Sequence, residues 1–115
     1  LVSIIYLSPV ANLFLKFRQS KQKQDKAIYL KMCHQIKMLQ ALGPVLHTPQ
    51  AKKLKGYRYQ LWELRPMLKR VFYGVWKKNN FVLLNHYTKK KDETDPRQIE
   101  RALSLLDDWY ERKGK

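Results

Sequence analysis

The chain has 115 residues, 44% of them hydrophobic and 12% aromatic, enough apolar mass for one core and too much for a disordered tail. Its formal net charge of +15 is lopsided: residues 1–91 carry 19 Lys/Arg against two acids, Asp25 and Glu63, while residues 92–115 carry five against seven. A field of that sign selects polyanions, nucleic acid first, or an acidic protein segment, and a lone cysteine excludes an intramolecular disulfide framework.

Residues 2–7 are a short β-rich run, expected as a strand at or beside the edge of a sheet. The apolar opening lacks a basic start and is too short for a secretory leader. No apolar run approaches the roughly 18–20 residues of a membrane span. Ser8-Pro9 then supplies an N-cap and a proline at the first helical position. Val10, Leu13, Phe14 and Phe17 follow at i, i+3, i+4 and i+7, the stripe of an amphipathic helix. A polar bridge over residues 19–24 leads to a second helix expected over residues 25–42. Ile28, Met32, Ile36 and Leu39 form its core face, with Leu42 close by, and Gly43-Pro44 stops it. Cys33 falls in that apolar pattern and is expected as a small core residue in a reduced, cytoplasmic setting. Two helices with a short polar link predict an antiparallel helical hairpin on one face of a sheet. Residues 45–53 read as a loop.

The densest β signal lies in residues 54–91. Three runs, 57–64, 68–76 and 81–87, are divided by Pro66 and by Lys77-Lys78-Asn79-Asn80, where asparagine tolerates positive φ. Connections this short predict an antiparallel three-strand meander. After Lys89-Lys90-Lys91 the charge changes sign, and Asp95-Pro96 begins a last helix with Asp95 as N-cap and Gln98 placed for a capping box. Ile99, Ala102, Leu103, Leu106, Trp109 and Tyr110 make its apolar stripe. No repeat or linker divides the chain. The expectation is a single α+β domain over residues 1–115, ordered β-α-α-β-β-β-α, in which a small antiparallel sheet carries an N-terminal helical hairpin and a C-terminal helix.

Four pieces in this order resemble a known family: Leu54-Lys55-Gly56, Trp62-Glu63-Leu64-Arg65, Lys69-Arg70-Val71-Phe72-Tyr73 and His86-Tyr87-Thr88-Lys89-Lys90, followed by the helix from Asp95. They resemble the RelE/HigB-type toxins of type II toxin–antitoxin systems, in particular the phage Gp49-like branch of the RelE/ParE superfamily. The likeness spans about residues 45–110, and the family's RelE-like element order agrees with the one read above. It implies a cytoplasmic toxin that cuts mRNA on the ribosome by 2′-OH attack, inhibits translation and uses no cofactor. It also implies a cognate antitoxin, of helix-turn-helix type, through which alone the toxin would meet operator DNA. ParE-like toxins, which inhibit gyrase, share the fold. A non-catalytic module binding RNA or the ribosome would use the same cations, so likeness of fold leaves these readings open.

Metal-free RNA cleavage needs a base at the 2′-OH, an acid at the leaving 5′-oxygen and cations for the charge growing on phosphorus. Arg70, which matches the arginine of the resemblance's RV-aromatic-Y piece, is the expected electrostatic residue, since a guanidinium grips two phosphate oxygens and stays charged. Its plainer role is an ion pair with Glu63. Arg65 shares strand parity with Glu63, which puts both on one face. Glu63 is a candidate general base, or the salt-bridge partner that orients Arg65 or Arg70. Flanked by cations, it is expected to have a low proton affinity and make a weak base, which favours the orienting role. His86 is the side chain most able to exchange protons near neutrality, or else a hydrogen-bonded structural histidine. Lys89 and Lys90 match the resemblance's paired lysines, as phosphate ligands or acid. Lys52, Lys53, Lys55, Arg58 and Lys91 are expected contacts to the RNA backbone, and Tyr73 and Tyr87 candidate base-stacking faces. Trp62, Phe72 and Trp76 read as packing residues. No His, Cys and carboxylate cluster has metal-ligand spacing, so no metal is expected.

Overall fold

Residues 2–90 and 93–115 are described by a computed structural model. Strand β1 (Ser3–Tyr6) leads into helices α1 (Ser8–Gln19) and α2 (Lys23–Leu42) and a single 3-10 turn (Gly43–Val45). Strands β2 (Ala51–Leu54), β3 (Leu61–Leu64), β4 (Lys69–Trp76) and β5 (Asn80–Thr88) follow, and helix α3 (Pro96–Lys113) closes the chain. The five strands form one sheet in the order β1-β5-β4-β3-β2. β1 runs parallel to β5, and every other neighbouring pair is antiparallel. The α+β class, the helical hairpin and the C-terminal helix are as expected, with one strand added.

The apolar stripes explain the layering. Val10, Ile36 and Leu39 of the hairpin pack with Trp62, Leu64, Val71, Tyr73, Phe81 and Leu83 on one face of the sheet. On the other face, Ile99, Ala102, Leu103, Leu106 and Trp109 of α3 pack with Leu61, Phe72, Val82 and Leu84. Alternation along each strand thus gives the sheet two dry faces, and each helical stripe covers one. α3 packs tightly over Gly74, where a Cβ would lie 2.9 Å from both Leu106 methyl carbons.

Five local expectations are corrected. Residues 51–54 are a strand, not a loop: β2 is a sheet edge, where Lys52 and Lys53 protect the open side against pairing with other chains, so its weak β propensity is no obstacle. The run 57–64 becomes strand only at Leu61, because Arg58 and Tyr59 turn out to reach Asp107 of α3. In the β4–β5 turn the positive φ values fall on Lys77 and Lys78 (50° and 63°), not on the asparagines. The residue flanking α1 is Leu7, with Ser8 already helical and no side-chain cap. Leu42, the last residue of α2, is exposed, and Cys33 is only half-buried, beside rather than in the buried stripe of Ile28, Met32, Ile36 and Leu39. At α3 the Asp95 carboxylate caps as expected, accepting from the Arg97 backbone N–H at 3.0 Å.

Candidate functional site

The pairing of β4 with β5 decides which side chains share a face. From Asn80 to Leu83 the register opposes Asn80 to Trp76 and Leu83 to Tyr73, and continued unchanged it would set His86 directly opposite Arg70. A β-bulge intervenes between the Val71 and Tyr73 pairings, so that His86 opposes Val71 and Tyr87 opposes Arg70. One extra residue in a strand inverts the parity of everything after it. Tyr87 therefore joins Arg70 on the α3 side, and His86 turns to the helical-hairpin side.

Arg70 and Tyr87 belong to a cluster on the part of the α3-side face near the start of that helix. Glu63 lies at its centre, on β3, paired across to Lys52 of β2. The charges of Arg70, Arg65, Lys52 and Lys89 all act on its carboxyl group. Glu63 is only 2% exposed, and its Oε2 has no hydrogen-bond partner among the described residues. Contrary to the expectation of a low proton affinity, its pKa is raised: burial outweighs all four cations.

Arg70 is 7% exposed. Its Nη1 donates to the Met67 and Lys69 carbonyls at 2.8 Å each, while its Nε has no partner among the described residues. Arg65 Nε is buried and unpartnered too. Among the described residues neither arginine lies within ion-pair distance of Glu63, so the plainer role of a Glu63–Arg70 ion pair is not what fixes them. Burial, followed by Arg65, lowers the Arg70 pKa, partly offset by Glu63 and Tyr87. The Tyr87 ring stacks on Phe72 with centroids 5.6 Å apart, and burial pushes its phenol pKa up. Beside the cluster, an open groove of about 680 Å³ runs between the end of β5 and the start of α3, lined by Tyr87, Thr88, Lys90 and Arg97 together with the acids Glu93 and Asp95. Arg65 and Arg70 each keep an Nε–H that no described residue accepts, a donor suited to phosphate oxygens.

Other expected site residues are placed elsewhere. His86 sits across the sheet from Arg70, with its Nδ1 3.2 Å from Lys69 Nζ. Burial first, then Lys69, holds its pKa down at about 4, so it is neutral rather than poised near neutrality. Tyr73 is 1% exposed and stacks on Trp62 inside the hairpin-side core, where no base can reach it. Arg58 is bound by Asp107 and Glu100, its charge answered, toward the far end of α3. Lys53 lies on the hairpin side over the Trp62 ring, and Lys55 is exposed in the turn after β2. Lys91 lies outside the described residues. Among the described residues no group of three His, Cys, Asp or Glu side chains could hold a metal ion. No described helix is long and apolar enough to cross a membrane.

Sequence reasoning passed over Gln35. It is buried in α2, and its Oε1 accepts from the Arg65 backbone N–H at 3.1 Å, pinning the strand end that carries Arg65. A glutamine beside Ile36 in the otherwise apolar face of α2 was the available signal.

A model of the phage-derived protein Gp49-like (DUF891) family matches residues 21–107, which take in α2, strands β2 to β5 and most of α3. No curated protein sequence matches the chain. Among solved structures, the fold is similar to one in the crystal structure of the archaeal RelE-RelB complex from Pyrococcus horikoshii OT3. The TM-score is 0.59 at 20% identity, over 78% of this chain and 97% of that chain. At that identity the likeness speaks for architecture. With the family match spanning about three quarters of its length, the chain belongs to the phage-derived Gp49-like family and has a RelE-like fold.

Proposed function

We propose that this protein is the toxin of a type II toxin–antitoxin pair and an endoribonuclease that cuts mRNA, in the cytoplasm and on the ribosome, thereby inhibiting translation. The observation that carries the reading is the set of four cations gathered around a buried carboxylate on one face of the sheet, two of them guanidinium groups with unpartnered Nε atoms. In the reaction the 2′-oxygen attacks the adjacent phosphorus while its proton passes to a base. The bond from phosphorus to the 5′-oxygen breaks, and that oxygen takes a proton, leaving a 2′,3′-cyclic phosphate. Arg70 and Arg65 hold the charge on the phosphorane oxygens, and Lys52 and Lys89 add to the field. Glu63, at 2% exposure, is too deep for a 2′-OH to reach and is not the base of this scheme. Lys90 and Tyr87 border the groove and Lys89 acts on Glu63 beside it; these three are the proton carriers of this scheme, which has no step for a cofactor or metal. The RelE-RelB complex suggests, by likeness, a cognate antitoxin here that covers part of the basic surface and carries any contact with operator DNA.

Induction without a partner should stop growth, and mapping 5′ ends of cellular mRNA shortly afterwards should show new cuts. Intact mRNA with poisoned gyrase would replace this reading by a ParE-like one. In single-turnover cleavage on saturating ribosome–mRNA complex, Arg70→Ala should slow the cut by about 10²–10³ with binding nearly intact, and Arg70→Lys should recover part of the loss. A folded Arg70→Ala protein cutting at the wild-type rate would remove Arg70 from the site.

A further inference from the structure

A second crevice, of about 600 Å³, opens on the opposite side of the sheet, between α1, the start of α2 and the ends of β4 and β5. Lys16, Lys69, Asn12, Gln22 and Thr88 converge on it, together with His86. Lys69 is half-buried; its ammonium donates to His86 Nδ1 at 3.2 Å and stands 5.8 Å from the centre of the Phe17 ring. Among the described residues neither Lys69 nor Lys16 has a carboxylate within ion-pair distance. The one acid among the described residues of the wall, Asp25, accepts from the Ser20 hydroxyl at 2.7 Å. Burial and then Lys16 push the Lys69 pKa down, with Asp25 opposing. A neutral imidazole accepts one of the three ammonium hydrogens and aims the rest. A half-buried cation without a counter-ion is costly, and an anion in the crevice would relieve that cost.

We propose that this crevice is a second phosphate site, in which Lys69 and Lys16 take a phosphate group of a single-stranded polynucleotide whose neighbouring stretch lies on the Arg70 face. The polynucleotide part rests on the RNA reading given above. Two ammonium groups with amide and hydroxyl donors around them suit a group with several anionic oxygens better than a lone carboxylate. The register supplies the path. Lys69 pairs with Thr88 and Arg70 with Tyr87, so the two sites sit back to back at one end of the sheet, on consecutive residues pointing to opposite faces. A strand leaving Arg70 around the β3–β4 turn meets Lys69 next. A free phosphate would have no reason to find its site beside that turn.

The test uses the whole chain and a 2′-O-methyl RNA oligonucleotide, which binds but lacks the attacking hydroxyl. Lys16→Gln and Lys69→Met should each weaken binding about tenfold at moderate salt, the scale of one lost charged hydrogen bond. Each should also make the fall of log K with log salt shallower by about 0.7. Inorganic phosphate should shift the ring signals of His86 in NMR spectra and lose that effect in Lys69→Met. Lys16 lies on an exposed helix position, so Lys16→Gln keeps the test open if Lys69→Met fails to fold. Unchanged affinity and slope in Lys16→Gln overturn the proposal. A phosphate response without any loss of oligonucleotide binding also overturns it, in favour of a free phosphate ligand. If Arg70→Ala abolishes cleavage while the crevice variants bind normally, the RNA reading survives without the crevice. If the crevice variants lose binding and the wild-type protein cuts no RNA, the crevice survives without the nuclease.

Discussion

Glu63 has four cations acting on it, and proximity alone would drive its pKa down, yet it is raised because burial is the larger cause. A folded-state pKa above the ordinary 4.5 means that folding prefers the neutral acid. The preference is satisfied below about pH 4.5 and becomes a cost as pH rises through the folded value. Glu63→Gln should therefore raise the melting temperature at pH 7, with the gain shrinking toward zero at pH 4. His86 acts in the opposite sense. Its folded pKa of about 4 lies below the ordinary 6.5, so stability falls as pH drops from about 6.5 toward 4. Wild type and variant share that loss, so it cancels in the difference. A Glu63→Gln protein less stable than wild type at pH 7 would mean that the ionised carboxylate does more for the four cations than its burial costs. Neither shift could be read from the chain as a sequence, because the carboxylate's neighbours were legible there and its depth was not.

Among the elements, α3 and the β4–β5 hairpin each hang on a local detail. Gly74 lets α3 approach the sheet, and a Cβ there would stand 2.9 Å from the Leu106 methyl carbons in a fully buried contact. Gly74→Ala should cost about 1–3 kcal/mol by overpacking, measured by urea denaturation. Pairing it with Leu106→Ala should recover part of the loss if the clash is the cause. The hairpin turn holds Lys77 and Lys78 at positive φ, which asparagine and glycine adopt more readily. Replacing the two lysines by Asn-Gly should stabilise the fold by about 0.5–1 kcal/mol. No gain would show that the lysines contribute something beyond the turn; Lys77 Nζ stands 4.9 Å from the centre of the Trp76 ring. The position of this turn was legible from its polar residues, but the φ values were not, since they depend on the register of the two strands.

For the molecule as a whole, charge and shape divide the work. The acids of residues 92–115 partly neutralise their own end, where Asp107 and Glu100 bind Arg58 and Asp108 binds Arg112. Among the described residues, the cations that precede this end keep few such partners. Binding to RNA should accordingly weaken steeply with salt, log K falling by about 0.7 per single-strand phosphate neutralised. Lys52→Ala, beside the Glu63 cluster, should lower both affinity and slope, whereas Arg58→Ala should leave the slope unchanged because its charge is already answered. Fluorescence anisotropy across a salt series measures both. Equal effects of the two substitutions would show that the charge acts without regard to place.

What the sequence determined by itself was whatever depends on near neighbours along the chain. The stripe Val10, Leu13, Phe17 and the stripe from Ile99 to Trp109 needed only helical periodicity, and the α+β class followed from the order of such segments. The basic bias and the pieces around Glu63, Arg70 and Lys89 were equally plain, and strand parity set Arg65 near Glu63, where the structure has it. What only the tertiary structure decided depends on a partner far along the chain. β2 exists because Ala51–Leu54 pairs with Leu61–Leu64, not because lysines favour strands. Tyr73 is lost to the solvent because the hairpin covers it. His86 and Tyr87 exchange faces because of one bulge against β4. Strand parity is a local rule only while pairing is regular, and a single inserted residue, chosen by the fit of two strands to each other, reverses it.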